Sequence, residues 1–436
     1  MNQNLSFLKF YEKEPHTPFY VILSLFIFTN MLRVIYFTKN VMELMASVRL
    51  VVNAVLMAAC AMYTAFNIVL WRLKPVPAAA AVGILALTGF GWNFIGQTNE
   101  FFSTAVAMFL ALLAYRRDFR VILKIVLVCH FMTLLVGFLG LYLGYSKLAY
   151  KIDSTDIGYS MGLIYPNHVG RIAFLIFMIA WYLWGQKKQL LTAGIAIVLS
   201  LLMWFVVECK TITIFLIGFP VCWRIVTWIR DRKTENCAGT RAVSVIRNVF
   251  LIPMPFLCLG LTWILGKNRA FFMRHWHYGQ GIFSLWMRFI SAGVLFKTYG
   301  FPLLGRDILE ENAVTEIIEG RKYLANIVDN AYIYYLVALG GIVLVICMLW
   351  LSLGNYRALR NRDSALLLIS VFMCAYGLIE VVYFQFEHNF LFFYPLTAAA
   401  LAYKGRNAAA EELEAAEDPA EEQEVSAPEY TNDKEE

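Results

Sequence analysis

The chain has 436 residues, of which 60% are hydrophobic and 16% charged, with a mean hydropathy of +0.61 and a formal net charge of +6. So much apolar surface excludes a soluble globular domain and predicts an all-α polytopic membrane protein. The positive balance does not point to nucleic acid, because the basic residues fall mainly in short connections between apolar runs, where they report topology.

The N-terminal stretch MNQNLSFLKFYEKEPHTPFY lacks the layout of a cleavable signal, since its first apolar run is full length and no small-residue cleavage site follows. Apolar runs of about 20 residues predict spanning helices. They fall near 17–38, 47–70, 76–95, 100–115, 121–144, 161–184, 189–207, 211–229, 248–266, 331–353, 364–382 and 389–403, about twelve in all. The acidic segment 404–436 is short of aromatics and is expected to be a disordered cytoplasmic tail behind a transmembrane domain of residues 1–403. Eight cysteines are scattered without a CxxC or other metal-ligand spacing. They read as small buried hydrophobes, so no metal and no cofactor is expected.

Arg72 and Lys74, Arg116 to Arg120, Lys187 and Lys188, Arg230 to Lys233, and Arg357 to Arg362 occupy alternate connections. The short connections between them hold only Lys39, Lys147, Lys151 and Lys210. The first set is expected in the cytoplasm, which puts both termini inside. Residues 267–330 then form a long outer loop, too aromatic for disorder. In it Ile282, Leu285, Trp286, Phe289, Gly293 and Phe296 recur at helical spacing, with Ser284, Arg288 and Ser291 opposite. That pattern predicts an amphipathic helix lying along the outer interface.

An ionisable side chain in a spanning helix costs a few kcal/mol or more and commonly faces a polar cavity. Arg171 follows His168 by three residues, so the two share a helix face just after Pro166 and Asn167. Lys210, after Glu208 and before Thr211, opposes the dipole of the helix it opens, which suits an anion ligand or else a Glu208 pair. Arg33 and Arg49 lie nearer helix ends and read as snorkelling cations. Arg288 stands among large apolar residues in the loop, with Arg274, His275 and Arg306 as secondary cations. The His275–His277 pair has no third ligand at a useful spacing, against a metal. Asp329 and Asn330 open the tenth run, and Glu380 closes the eleventh, followed by Glu387 and His388. Carboxylates beside such cations could act as general base or balance their charge.

Four segments resemble the O-antigen polymerase and ligase superfamily, in particular the Wzy-like repeat-unit polymerases of bacterial surface polysaccharides. They are Gly162 to Gly170 (GLIYPNHVG), Lys210–Thr211, Arg288 with Pro302-Leu303-Leu304-Gly305, and Val328-Asp329-Asn330-Ala331-Tyr332 through Gly340–Gly341. They span about 160–345 in the family's order, around a large late loop. Two departures stand out. Asp329–Asn330 replaces the His-Asn of ligases, and Arg306–Asp307 replaces a second glycine after Gly305.

The resemblance implies metal-independent glycan transfer between undecaprenyl-diphosphate-linked oligosaccharides at the outer leaflet of a bacterial cell membrane. Arg171, Lys210 and Arg288 would hold diphosphate, because fixed cations stabilise the charge of a departing pyrophosphate better than water does. His168, Asp329 or Glu380 would activate the incoming hydroxyl, and Trp276, Tyr278 and Trp286 are candidates for sugar stacking. Partners expected with this reading are membrane lipids, a flippase and a chain-length regulator, with no nucleic acid. Transfer of finished glycan to a wall or lipid acceptor is the alternative. A lipid or solute transporter is the rival from another class, and would carry charge along a path near the midplane.

Overall fold

A computed structural model gives the fold and describes residues 17–37, 39–69, 83, 98–146, 149–151, 157–232, 248–274, 283–305, 314–318, 321–325 and 329–401. In chain order the principal helices are α1 (Thr17–Met31), α2 (Lys39–Val69), α3 (Thr98–Leu113), α4 (Phe119–Tyr142), α5 (Pro166–Trp184), α6 (Gln189–Phe205) and α7 (Lys210–Arg232). They continue with α8 (Met254–Lys267), α9 (Arg269–Arg274), α10 (Phe283–Tyr299), α11 (Ala331–Ala338), α12 (Gly341–Arg360) and α13 (Ser364–Gly377). Local chemistry sets several starts. Asp118 caps α4 by accepting from Arg120 N, Asp363 caps α13 by accepting from Leu366 N, and Pro166 opens α5 where its missing N–H has no cost.

Among the described residues, six helical segments are long and apolar enough to cross a membrane: Thr17–Val34, Val41–Ala65, Phe119–Tyr142, Pro166–Trp184, Lys210–Ile229 and Gly341–Arg360. Shorter apolar helices stand among them at Phe102–Leu113, Gln189–Phe205, Met254–Lys267 and Ser364–Gly377. Phe205, Met62 and Ile214 lie on the outside at 70%, 68% and 66% exposure. An outer surface of large apolar side chains is what a bilayer solvates. The chain is therefore a mostly helical, membrane-embedded protein.

The two ends of the bundle differ in charge. At one end Tyr182 Oη donates to Asp363 Oδ2 at 2.7 Å, Phe119 packs edge-on against Tyr182 and Tyr394, and Arg116 N donates to Leu396 O at 2.8 Å. The connections that meet there carry Arg116, Arg117, Arg120, Lys187, Lys188, Arg357, Arg360 and Arg362. At the other end Tyr36 N donates to Gly162 O at 2.9 Å and Ile164 N to Val34 O at 2.8 Å, joining the end of α1 to the start of α5. Cys209 Sγ donates to Asn167 Oδ1 at 3.5 Å, bringing the start of α7 to the same place. The alternation of basic connections in the sequence thus corresponds to a physical end of the bundle.

Several expectations are corrected. The run 331–353 is two helices, α11 and α12, broken at Gly340 with φ +89°. The cause is a crossing strand of chain. Gly341 N donates to Pro302 O at 2.7 Å and Ile342 N to Leu303 O at 3.2 Å, and a Cβ on Gly340 would come within 2.6 Å of Gly305 N. The run 389–403 begins as a 3₁₀ helix, Phe390–Leu396, containing Pro395. It connects Glu380 at one end of the bundle to Leu396 at the other without an α-helix. Non-helical backbone at such depth is tolerated because protein covers it, and Phe390 to Pro395 are buried.

Helix α10 does not float on an interface with a wet face. Arg288 and Ser291, expected to face water, are 6% and 4% exposed. The side that carries Arg288 is met by Asp329 and Glu380, while the other side of α10 lies against α8, where Gly266 and Gly293 come backbone to backbone. Two antiparallel hairpins, β1 (Ala149–Lys151) with β2 (Ile157–Tyr159) and β3 (Val314–Ile318) with β4 (Arg321–Ala325), were not expected from an all-α reading. The run 76–95, apart from Gly83, and the tail 404–436 lie outside the described residues.

Alanine at Gly340 or Gly305 should cost upward of about 2 kcal/mol, through an unfavourable φ at the first and a backbone clash at the second. Thermal unfolding in detergent should register both, while Gly194→Ala, whose Cβ meets open space, should unfold with the parent.

Candidate functional site

The start of α5, the start of α11, the middle of α10 and the turn after α13 converge at the end of the bundle opposite the basic connections. Arg288 of α10 is buried, and its Nη2 lies 3.2 Å from Asp329 Oδ2 and 3.4 Å from Glu380 Oε1. Asn167 Nδ2 donates to the same Glu380 oxygen at 3.3 Å. Arg171, 5% exposed, donates from Nη1 to Gln385 Oε1 at 3.3 Å and from Nη2 to His168 Nδ1 at 3.2 Å. Two arginines and two carboxylates, separated by as much as 209 positions between Arg171 and Glu380, share one site.

Its surroundings extend the charge pattern. Arg33, at the end of α1, pairs with Glu387 at 2.5 Å. His388 is fully buried and packs its ring edge-on against His130 at 5.6 Å, and His130 Nδ1 donates to Val126 O at 2.7 Å. Access is from the side of Asn167, which is exposed, and Asp329, whose side chain is 36% exposed. Burial pushes the Asp329 carboxyl above its ordinary range, while Arg288 and then Arg171 pull against that rise.

Two buried guanidinium groups keep donors in hand. Nε and Nη1 of Arg288 and Nε of Arg171 make no hydrogen bond among the described residues. A buried donor without a partner costs about 1–3 kcal/mol, more for a charged group. Such donors on arginines beside a cluster with an open side are suited to an anion with several oxygens.

The other expected site residues fall in different places. His168 is in the cluster, but arginine has no acceptor atom, so the His168 Nδ1 lone pair receives the Arg171 proton. With that lone pair engaged, the nearby bases are Glu380 and Asp329. Asn330 is a positioning residue. Its Oδ1 accepts from Tyr332 N and Ile333 N, and its Nδ2 donates to Thr262 Oγ1 and Leu378 O, which aims Asp329 at Arg288. Lys210 does open α7, but its side chain is 52% exposed, paired with Glu208 at 3.7 Å and set over the Trp204 ring at 5.9 Å. It therefore does not join Arg171 and Arg288, because Cys209 and Ile212 take the buried side of this turn, at 3% and 0% exposure, and leave Lys210 on the outer side. Arg274 ends the short helix α9 at an exposed position. His275, His277, Trp276, Tyr278 and Arg306 lie outside the described residues.

Sequence reasoning missed Gln385 and His130. A lone glutamine in an aromatic run and a lone histidine inside the apolar α4 carry no spacing signal, and only the fold brings them to Arg171 and His388.

Removing one partner of a buried ion pair costs about 3–5 kcal/mol, because the other is left charged and unpaired. Arg288→Met should therefore destabilise strongly in thermal unfolding, and the double variant Arg288→Met with Glu380→Gln should recover much of the loss. Additive losses would contradict the pairing. Compared with protein-family models, with curated proteins and with solved structures, the chain has no match.

Proposed function

We propose that this protein is a membrane glycosyltransferase that polymerises undecaprenyl-diphosphate-linked oligosaccharide repeat units at the outer leaflet of a bacterial cytoplasmic membrane. The observation that carries the reading is the convergence of Arg171 and Arg288, with unused buried donors, beside Glu380 and Asp329. The order of the four family-like segments adds to it, since three of them meet in space. GLIYPNHVG opens α5 beside the cluster, Arg288 enters it, and Asp329–Asn330 faces Arg288. Pro302–Gly305, the second part of the Arg288 segment, packs against Gly340–Gly341 and braces the end of α11, while the remaining segment, Lys210–Thr211, lies apart from the cluster.

In this reading the free Nε–H and Nη–H groups of Arg171 and Arg288 bind the oxygens of the donor diphosphate. As the anomeric C–O bond breaks, negative charge grows on the departing diphosphate, and the two fixed cations stabilise it more in the transition state than in the ground state. Glu380 or Asp329 takes the proton of the acceptor hydroxyl as that oxygen bonds to the anomeric carbon. Binding the diphosphate would draw Arg288 partly away from its carboxylates and so free one of them to act as base. The basic connections at the far end would face the cytoplasm, which puts the cluster at the outer leaflet.

Separate replacement of Arg171, Arg288 and Glu380 by Ala, Ala and Gln in the native host should abolish long surface polymer while single repeat units are still made. Lys210→Ala should keep most of the polymer, because its ammonium lies outside the cluster. Normal polymer length in all three cluster variants would refute the reading. Loss of single repeat units at the surface, or of uptake of a solute, would move it to transport.

A further inference from the structure

A cavity of about 200 Å³ lies between the end of α1 and the first turns of α2, at the same end of the bundle as the charged cluster. Its walls are apolar except at Thr29 and two arginines. Leu32 and Phe37 line one side, Met42 and Met45 the other, and the guanidinium-bearing residues Arg33 and Arg49 come one from each side. Met42, Met45 and Arg49 recur at helical spacing along one face of α2, so the sequence itself lays a cation at the end of an apolar stripe. Arg33 also touches Glu387, which joins this cavity to the interior of the bundle.

We propose that this cavity binds a single phosphate-headed membrane lipid, its phosphate between Arg33 and Arg49 and its chain along Met42, Met45 and Leu32. Arginine presents paired N–H donors in a planar fork that matches phosphate oxygens, and two of them from opposing elements form a clamp. The walls decide between a lipid and a free anion. Inorganic phosphate would lose its hydration against methionine and leucine with nothing to offset the loss, whereas a lipid chain covers those side chains and gains their contact. Unbranched methionines adapt their shape to a flexible chain. Snorkelling to bulk headgroups would place each arginine separately at the interface; here both line one partly open cavity. The site does not rest on the polymerase reading, and it stands whether or not Arg171 and Arg288 are catalytic.

The test is native mass spectrometry of the full chain in neutral detergent, titrated with dioleoyl phosphatidic acid, with dioleoylglycerol of the same chains, and with inorganic phosphate. Phosphatidic acid should give a retained one-to-one adduct that the other two do not. Arg49→Gln should weaken that adduct about ten-fold, equivalent to about 1.4 kcal/mol. Met45→Trp, which fills the cavity and keeps both charges, should weaken it as well. Arg362→Gln, at the opposite end of the bundle, should leave it unchanged. Equal retention by the Arg49 and Met45 variants, equal binding of dioleoylglycerol, or full competition by inorganic phosphate would each overturn the proposal.

Discussion

A guanidinium taken out of water has to be met by opposite charge, and Arg288 is the place where this chain meets that demand. Its contacts with Asp329 and Glu380 join the middle of α10, the start of α11 and the turn after α13. Breaking them would leave Arg288 and Glu380, the two more buried members, without their charge partners. The surrounding backbone is built to hold the geometry. Asn330 uses its whole amide to fix Asp329, and the Pro302–Gly305 crossing ends α11 at Gly340 so that a short helix can point its N-terminus at the cluster.

Charge balance also explains why so many polar side chains collect there. Arg33 with Glu387 extends the same compensation inward, and Gln385 gives Arg171 a hydrogen-bond acceptor, until His388 and His130 sit in fully buried positions. The chain from Glu380 to Leu396 supplies most of the partners. As an α-helix it would turn half of those groups toward lipid. As 3₁₀ turns wrapped inside the bundle it keeps Gln385, Glu387 and His388 on protein, with its backbone satisfied by bonds such as Trp350 Nε1 to Phe392 O at 2.7 Å. Irregular backbone at depth and buried charge are here two aspects of one arrangement.

What could be read from the residues alone followed the range of the physics involved. Long apolar runs and alternating basic connections are local signals, and α1, α4, α5 and α7 lie close to where those runs fall. Arg171 and Arg288 stood out because an arginine among apolar residues is costly wherever it lies. Contacts between distant segments were not legible. The amphipathic pattern around Arg288 reads equally as a helix on a membrane surface or one covered by protein, and only the distant partners Asp329 and Glu380 decide it. Lys210 stood out for the same reason as Arg171, yet its neighbours Cys209 and Ile212 take the buried side and leave it outside. Pro395 makes the run 389–403 unfit for a regular helix, a local signal that a reading by apolar length alone does not use.

The account depends most on which side of the membrane the arginine–carboxylate cluster faces. Single cysteines placed at Asp329 and at Arg362, in a chain whose own cysteines are replaced by serine, read this directly with a membrane-impermeant maleimide. Labelling of the Asp329 position in intact cells, and of the Arg362 position only after permeabilisation, is the predicted result. The reverse pattern would put the cluster in the cytoplasm and contradict the proposal that it works on lipid-linked glycans outside.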